Sequence, residues 1–321
     1  MASLLPIASG KGGVGKSVIA ANLGFALARA GHAVVLVDLD LGGSNLHTFL
    51  GVKNRRPGLG AFVWKEERSL TDLLVQAEYE RLWLIPGDGL MPGTANLDWF
   101  TKQRILKELA KLPADFVILD LGAGSSYNVV DFFLASGQGL VIVRPEITSV
   151  LNAYSFLKTV AFRLLFRSFP EKSPGRAAVL EFARKKTEGA GTSFLELARD
   201  LALRFPEGGE GALERLSGLR PRVIMNQGKE AGDAALGYRL RDIAARNLGL
   251  GIEFAGYLLD DPAVPQSLAA RTPLLALDPS SPFARGMVAV AARVASAPRR
   301  DGIDFDEAAP SLESLVAEAL A

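Results

Sequence analysis

The chain has 321 residues, of which 49% are hydrophobic, and a formal net charge of +1 at pH 7. This length allows one large domain or two ordinary ones, each with a sizeable buried core. A charge so close to zero excludes a global electrostatic pull towards nucleic acid or anionic membrane, but not a local patch. The absence of cysteine excludes disulfides and cysteine-ligated iron–sulfur clusters, and is typical of the reducing cytoplasm.

The sequence shows no targeting or membrane-spanning segment. The nine residues before Gly10 are uncharged and too few for a signal peptide. No apolar run approaches the roughly 20 residues of a spanning helix. We therefore expect a soluble, cytoplasmic protein that is at most peripheral to a membrane.

Short β-rich runs alternate with longer helical patterns, which predicts an α/β fold with a doubly wound, mostly parallel sheet flanked by helices. Pro6–Ser9 forms the tip of the first strand, and Lys16–Ala30 reads as a helix. The next strand, Ala33–Val37, delivers Asp38 and Asp40 at its carboxyl end, where such sheets bind ligands. Further buried strands are predicted at Arg81–Ile85, Phe116–Leu119, Gly139–Val143, Arg222–Met225 and Phe254–Leu258.

The segment Gly10–Ser17 reads GKGGVGKS and fits the phosphate-binding loop pattern G-x-x-x-x-G-K-[ST] between a strand and a helix. Backbone N–H groups in such a loop form a nest for phosphate oxygens, and the following helix adds the positive end of its dipole. The predicted nucleotide-binding loop residues are Gly10, Lys11, Gly12, Gly13, Val14, Gly15, Lys16 and Ser17. Lys16 is expected to reach the β- and γ-phosphates, and the Ser17 hydroxyl to ligate Mg²⁺.

A second lysine, Lys11, opens this loop, where an ordinary phosphate loop needs none. A cation there points away from the phosphates of its own chain and is better placed to meet those of a neighbour. The run K-G-G-x-G-K-[ST] resembles the deviant Walker A ATPases of the MinD/ParA family. The resemblance implies a P-loop fold, ATP and Mg²⁺ as ligands, and a homodimer in the ATP-bound state, with Lys11 reaching the partner's ATP.

The predicted strand Phe116–Leu119 leads straight into Asp120. An aspartate at the tip of a buried strand beside a phosphate loop can hold Mg²⁺, usually through water, as a Walker B acid does. An aspartate that caps a turn is the alternative. Gly122 and Gly124 would allow this segment to move with the γ-phosphate, while Leu121 stands where the family commonly has threonine.

The segment Asp38–Leu46 resembles the D-x-D-x-G-x-x-N-L stretch of the MinD and FlhG branch. The resemblance assigns Asp40 to the attacking water, Asp38 to the metal site and Asn45 to the nucleotide-binding first switch. Phosphoryl transfer depends mainly on positioning and charge neutralisation, so the predicted catalytic residues are Asp40 and the two loop lysines. A solvated acidic turn is the alternative.

Two later segments resemble the same branch. Pro145–Tyr154 follows its P-E-x-x-S-x-x-D-A-Y pattern, with Asn152 in place of the usual aspartate. Asn226 matches the asparagine that reads the adenine ring, and Asp260–Pro265 resembles a loop near the base. An ordinary polar loop residue is the alternative at each position, so adenine preference depends mainly on the resemblance.

We predict a P-loop ATPase domain over residues 1–300, of which the resemblance covers roughly 3–160 and 220–295. The part between them departs from the family and is predicted to be a helical insertion at 163–221, with the amphipathic stretches Ala177–Lys186 and Phe194–Phe205. Residues 163–222 carry 12 Lys/Arg and eight Asp/Glu, a net of +4. This region is either an appended subdomain that contacts a partner or an anionic surface, or a solvated helical excursion packed on the sheet.

Residues 301–321 are predicted to be an acidic C-terminal tail, with six acidic side chains and no lysine or arginine. Ser311–Leu320 could form a short helix with one apolar side. Anionic lipid repels acidic flanks, which argues against membrane anchoring through this tail. We expect it to pack on the body of the protein or to meet a protein partner.

Three functional hypotheses follow. The leading one is a slowly hydrolysing, ATP-driven dimerisation switch with a protein partner or activator, an FlhG-like regulator of flagellar number or polar position. The second is a ParA-like DNA and cargo partitioning ATPase, although nothing in the sequence supports non-specific DNA binding. The third is a nucleotide-gated adaptor with negligible hydrolysis, against which the presence of Asp40 and Lys11 argues.

Overall fold

The computed structural model describes residues 2–40, 43–53, 57–87, 97–187, 193–297 and 310–321. The strands are β1 (Ser3–Ala8), β2 (Val34–Leu39), β3 (Val75–Gln76), β4 (Leu82–Ile85), β5 (Phe116–Leu121), β6 (Leu140–Val143), β7 (Arg222–Gly228) and β8 (Glu253–Leu259). They form one sheet in the order β3-β4-β2-β5-β1-β6-β7-β8. Every neighbouring pair is parallel except β3 with β4.

Helices connect these strands. In chain order they are α1 (Lys16–Arg29), α2 (Leu46–Phe49), α3 (Leu59–Val63), α4 (Trp99–Leu109), α5 (Tyr127–Phe133), α6 (Ile147–Arg167), α7 (Pro174–Thr187), α8 (Phe194–Arg204), α9 (Pro206–Gly218), α10 (Ala234–Leu248), α11 (Ala263–Ala269), α12 (Leu274–Leu277), α13 (Pro282–Ser296) and α14 (Leu312–Leu320). Short 3₁₀ turns lie at Leu70–Leu73 and Ala231–Asp233.

The sheet is buried on both faces, which explains why its central strands are continuous apolar runs. Along β5, for example, Val117 and Leu119 join the core on one face, whereas Ile118 joins the core on the other. Helices α4, α5, α6, α10 and α14 cover the first face, and α1 and α13 cover the second. This confirms the predicted doubly wound α/β fold, and places the reversal of strand order at β1, where open α/β sheets bind ligands.

Several strands run further than predicted. β5 continues through Leu121, because Asp38 and Leu39 of β2 stay in register with Asp120 and Leu121. The two aspartates therefore lie within the last two residues of adjacent strands instead of in the loops beyond them. Asn226 likewise lies inside β7.

Helices α7, α8 and α9 occupy the predicted insertion and pack beside α6. Their apolar sides, among them Val179, Leu197 and Leu216, belong to the same buried core as the first face of the sheet. Helix α8 begins with a capping box in which Ser193 and Glu196 exchange hydrogen bonds with each other's backbone N–H groups. The helical excursion therefore packs on the body of the protein.

The last helix, α14, packs against β8 and α10. Leu312, Leu315 and Val316 are buried there, and the N–H of Leu312 donates to the Tyr238 hydroxyl at 3.0 Å. Residues 301–309 of the predicted tail lie outside the described residues. Within the described ranges, no helix is both long and apolar enough to cross a membrane.

Candidate functional site

The glycine-rich loop connects β1 to α1 at the carboxyl edge of the sheet. Gly13 and Gly15 have φ of 77° and 93°, in the left-handed region that favours glycine. A Cβ on Gly10 would lie 2.1 Å from the main-chain oxygen of Asn152, and one on Gly15 would lie 2.5 Å from Asn226 Nδ2. Glycine at these positions lets the loop lie tightly between α6 and β7.

Asp120 lies under this loop and is 1% exposed. Burial, helped by the charge of Asp38, raises its pKa from 3.8 to about 7, against the lowering effects of the Ser17 hydroxyl and Lys16. Its Oδ1 atom is buried without a hydrogen-bond partner. The predicted metal residues Ser17 and Asp120 are thus brought together, with one carboxylate oxygen free.

Asp38 is buried beside Asp120, but its oxygens already have partners. Oδ2 accepts from the Ser44 hydroxyl at 2.7 Å and from the N–H of Leu46 at 3.0 Å, and Oδ1 accepts from the N–H of Asp40 at 3.1 Å. Burial raises the pKa of Asp38 in spite of these hydrogen bonds. In this conformation Asp38 organises the segment after β2.

Asp40 faces the segment that follows β5. A Cβ on Gly122 would lie 3.4 Å from Asp40 Oδ1, so no side chain stands between the carboxylate and that segment. The N–H of Gly124 in turn donates to the main-chain oxygen of Ser9 at 3.0 Å, at the entry to the phosphate loop. The segments that contain Asp40, Asp120 and Gly10 are therefore in direct contact.

The two lysines of the loop point to different places. Lys16, the first residue of α1, is 8% exposed, and its positive charge lowers the pKa of Asp120. Lys11 Nζ lies 3.0 Å from Glu146 Oε2 and 3.5 Å from Thr148 Oγ1, at the start of α6. Glu146 also pairs with Arg144 at 3.0 Å. Lys11 is therefore held to one side of its own phosphate loop.

The Lys11–Glu146 pair was not anticipated from the sequence, although Glu146 lies in the segment that resembles the MinD and FlhG branch. The hydrogen bond from Lys11, together with the charge of Arg144, lowers the pKa of Glu146. The carboxylate is therefore charged and available to the lysine at neutral pH.

The two predicted asparagines behave differently. Asn226 is 4% exposed and donates from Nδ2 to the main-chain oxygen of Val14 at 2.8 Å, which leaves Oδ1 buried without a partner. Asn45 is exposed, and its Nδ2 donates to the main-chain oxygen of Gly43 at 2.8 Å. The structure thus joins Asn226 to the phosphate loop, whereas Asn45 contacts its own turn.

The acidic residues fit a magnesium ion that arrives with a nucleotide. Among the described residues, no group of three or more His, Cys, Asp or Glu side chains could hold a metal ion by itself. Mg²⁺ usually takes one or two protein ligands and completes its shell with water and substrate phosphates. The free Oδ1 of Asp120 and the adjacent Ser17 hydroxyl are suited to that role.

Residues 5–274 match the model of the CobQ/CobB/MinD/ParA nucleotide-binding domain. The chain belongs to this family. A similar curated protein is the flagellum site-determining protein YlxH of Helicobacter pylori, which is 34% identical over 161 residues, 48% of this chain and 52% of that protein. The septum site-determining protein MinD of Synechocystis is 32% identical over 157 residues, 48% of this chain and 57% of that protein. The MinD/ParA-type chain thus spans about half the length of these relatives.

Solved MinD and ParA structures share the fold over most of the chain. MinD from Pyrococcus horikoshii, solved in complex with Mg-ADP, covers 92% of this chain and 97% of its own, with a TM-score of 0.60 and 19% identity. A ParA family ATPase from Chlorobium tepidum covers 91% and 98%, with a TM-score of 0.60 and 20% identity. The family and fold named by the resemblance are confirmed.

Proposed function

We propose that this protein is an ATP-binding, slowly ATP-hydrolysing dimerisation switch of the MinD/ParA type that acts in the cytoplasm as a spatial regulator of a cellular structure. The observation that carries this proposal is the divergence of the two loop lysines. Lys16 is buried beside Asp120, whereas Lys11 is held 3.0 Å from Glu146, away from its own loop. A lysine placed there is available to the phosphates of a second chain.

Each group of the site has a distinct part in this proposal. The backbone N–H groups of Gly10–Gly15 and the ammonium of Lys16 bind the phosphates. Mg²⁺, when bound with ATP, would be held by Ser17 and Asp120 and would neutralise charge on the transferred phosphoryl group. Asp40 orients the attacking water, and Asp38 fixes the segment that carries Asp40. Positioning and charge neutralisation then account for a slow hydrolysis.

Dimerisation would move Lys11 from Glu146 to the partner's nucleotide. Arg144 stays paired with Glu146, which limits the cost of leaving that carboxylate behind. Ile147 and Leu151, on the first turns of α6, are 65% and 55% exposed beside this pair. They offer apolar area for a second copy or for a partner protein.

The similarity to YlxH supports a regulator of flagellar number or placement, and the comparable similarity to MinD makes a septum-site regulator the alternative. The match covers about half of the length of YlxH. Which cellular structure this protein positions, and which partner activates it, are therefore parts of the proposal.

Solution mass by light scattering tests the switch. We expect a dimer with Mg-ATP and a monomer with Mg-ADP, and we expect Asp40→Ala to keep the ATP dimer because it blocks hydrolysis. Lys11→Ala should weaken the dimer. Lys111→Ala is the matched control, since Lys111 also pairs with a carboxylate, Glu108 at 2.6 Å, but lies just after α4, away from the phosphate loop. A monomer under all conditions, with ATP bound, would favour the nucleotide-gated adaptor.

A further inference from the structure

The loop that follows Asn226 is anchored from the neighbouring strand. β7 ends at Gly228, and the chain then turns through residues 229–233, here called the base loop, into α10. Tyr257 of β8 is 2% exposed and lies opposite Met225 in the strand register. Its hydroxyl oxygen lies 2.7 Å from Asp233 Oδ2 and 3.1 Å from the main-chain oxygen of Glu230.

We propose that Tyr257 is a positioning residue that holds the base loop, and with it Asn226, in the conformation that discriminates adenine from guanine. This inference rests on the proposed nucleotide-binding function and adds a specificity determinant to it.

The Asp233 carboxylate is a shared hydrogen-bond acceptor that holds the base loop together. Its Oδ2 accepts from the N–H of Lys229 at 2.8 Å and from the N–H of Glu230 at 3.3 Å, in addition to the Tyr257 hydroxyl. The Glu230 side chain accepts in return from the N–H of Asp233. These contacts close the base loop on itself, and the Tyr257 hydroxyl ties the base loop to β8.

The backbone between Asn226 and the base loop has to be held in place. Gln227 has φ of 60°, an uncommon conformation for a residue with a side chain, and the register of β7 with β8 shifts here. A Cβ on Gly228 would lie 2.1 Å from Tyr257 Cζ, so the absence of a side chain lets the ring pass over the backbone. The N–H of Asp260 donates to the main-chain oxygen of Gly228 at 2.9 Å. A strained residue persists only when its surroundings fix it, and Tyr257 supplies part of that constraint.

The conformation of this segment determines what Asn226 offers to a base. One N–H of Asn226 Nδ2 donates to the Val14 oxygen, whereas Oδ1 is buried without a partner, so the amide presents an unsatisfied acceptor. The 6-amino group of adenine donates a hydrogen bond, whereas guanine has an accepting oxygen at that position. If loss of the tyrosine hydroxyl lets the segment leave this conformation, the apparent affinity for ATP falls in proportion to the competent fraction.

The test measures the affinities for Mg-ATP and Mg-GTP by titration calorimetry. For Tyr257→Phe we expect ATP affinity to fall about tenfold, with GTP affinity little changed, so the ATP/GTP ratio falls by about the same factor. Asp233→Ala should reproduce the effect, and also tests the idea should Tyr257→Phe fail to fold. Asp233→Asn keeps an acceptor for the hydroxyl and should retain the wild-type ratio.

Tyr238→Phe is the matched control. Its hydroxyl is also hydrogen-bonded, but as an acceptor from the backbone N–H of Leu312 at 3.0 Å, a contact that fixes α14 and not the base loop. It should lower the melting temperature without changing the ATP/GTP ratio. An unchanged ratio in both Tyr257→Phe and Asp233→Ala, or an equal loss for ATP and GTP, would overturn the positioning role. A wild-type protein that binds neither nucleotide would instead refute the proposed function and this inference with it.

Discussion

Asp120→Asn should change how the stability of the nucleotide-free protein depends on pH. Burial raises the pKa of Asp120 from 3.8 to about 7 in the folded protein. Below pH 4 the carboxyl is protonated in both states, and between about pH 4 and 7 only the unfolded chain loses its proton. The contribution of Asp120 to the free energy of unfolding therefore falls as pH rises through this window and is fully lost above pH 7.

The magnitude follows from the pKa difference. Each pKa unit corresponds to about 1.4 kcal/mol, so ionising Asp120 in the folded, nucleotide-free protein costs about 4 kcal/mol. Close to 1 kcal/mol of this is already lost at pH 4.5. We therefore expect the difference in unfolding free energy between the wild type and Asp120→Asn to shift by about 3 kcal/mol between pH 4.5 and pH 8, in favour of the variant.

Urea denaturation at pH 4.5, 6 and 8, with EDTA and without nucleotide, measures this difference. Asp98→Asn is the control, because hydrogen bonds from the N–H and hydroxyl of Thr101 lower the pKa of Asp98. The contribution of the Asp98 carboxylate to stability is therefore lost as pH falls, which is the opposite pH dependence to that of Asp120. Parallel pH profiles for the wild type and Asp120→Asn would refute the view that this carboxyl is destabilised by burial.

Further predictions concern the ion pairs and the phosphate loop. Glu146→Gln removes the charge that holds Lys11, so it should lower the Mg-ATP concentration at which light scattering detects a dimer; no change would mean that the pair does not restrain Lys11. Asp131→Asn removes the carboxylate shared by three cations, Lys102 at 2.5 Å, Arg163 at 2.7 Å and Arg167 at 3.0 Å. It should lower the free energy of unfolding, measured by urea denaturation, by about 3 kcal/mol or more. A loss below about 1 kcal/mol would contradict this. Gly10→Ala should abolish ATP binding in calorimetry, because its Cβ would lie 2.1 Å from the Asn152 oxygen, whereas Gly211→Ala, with no neighbour within 4 Å of its Cβ, should not.

The parts of the structure that could be predicted from the sequence are those with a local signal. The phosphate loop is a fixed spacing of glycine and lysine, and strands buried on both faces leave apolar runs such as Phe116–Leu119. Their ends were predicted less well, because Asp120 continues its strand through register with Asp38 on a neighbouring strand, which one segment alone does not reveal.

Long-range pairs had no such signal. Lys11 meets Glu146 across 135 residues of chain, and Asp131 of α5 gathers cations from both α4 and α6. Glu146, Asp131 and the cations around Asp131 each read in isolation as ordinary charged side chains, and the motif that singles out Lys11 does not reveal its partner. The packing of α4, α5 and α6 on one face of the sheet brings the Asp131 cluster together, and the contact of the phosphate loop with the start of α6 brings Lys11 to Glu146. Both arrangements depend on the whole core.

The charge balance of the site makes magnesium dependence a consequence of the fold. Asp38 and Asp120 lie side by side on adjacent strands, and the charges of Asp38 and Asp40 both raise the pKa of Asp120. The positive charge of Lys16 opposes them and lowers the pKa of Asp120. A nucleotide without its metal would add phosphate charges to this acidic edge, whereas Mg-ATP brings a cation that can take the free Oδ1 of Asp120. We therefore expect ATP to bind much more weakly in EDTA than with Mg²⁺, and Asp120→Asn to reduce that difference in calorimetry; equal magnesium dependence in the variant would show that Asp120 is not where the ion acts.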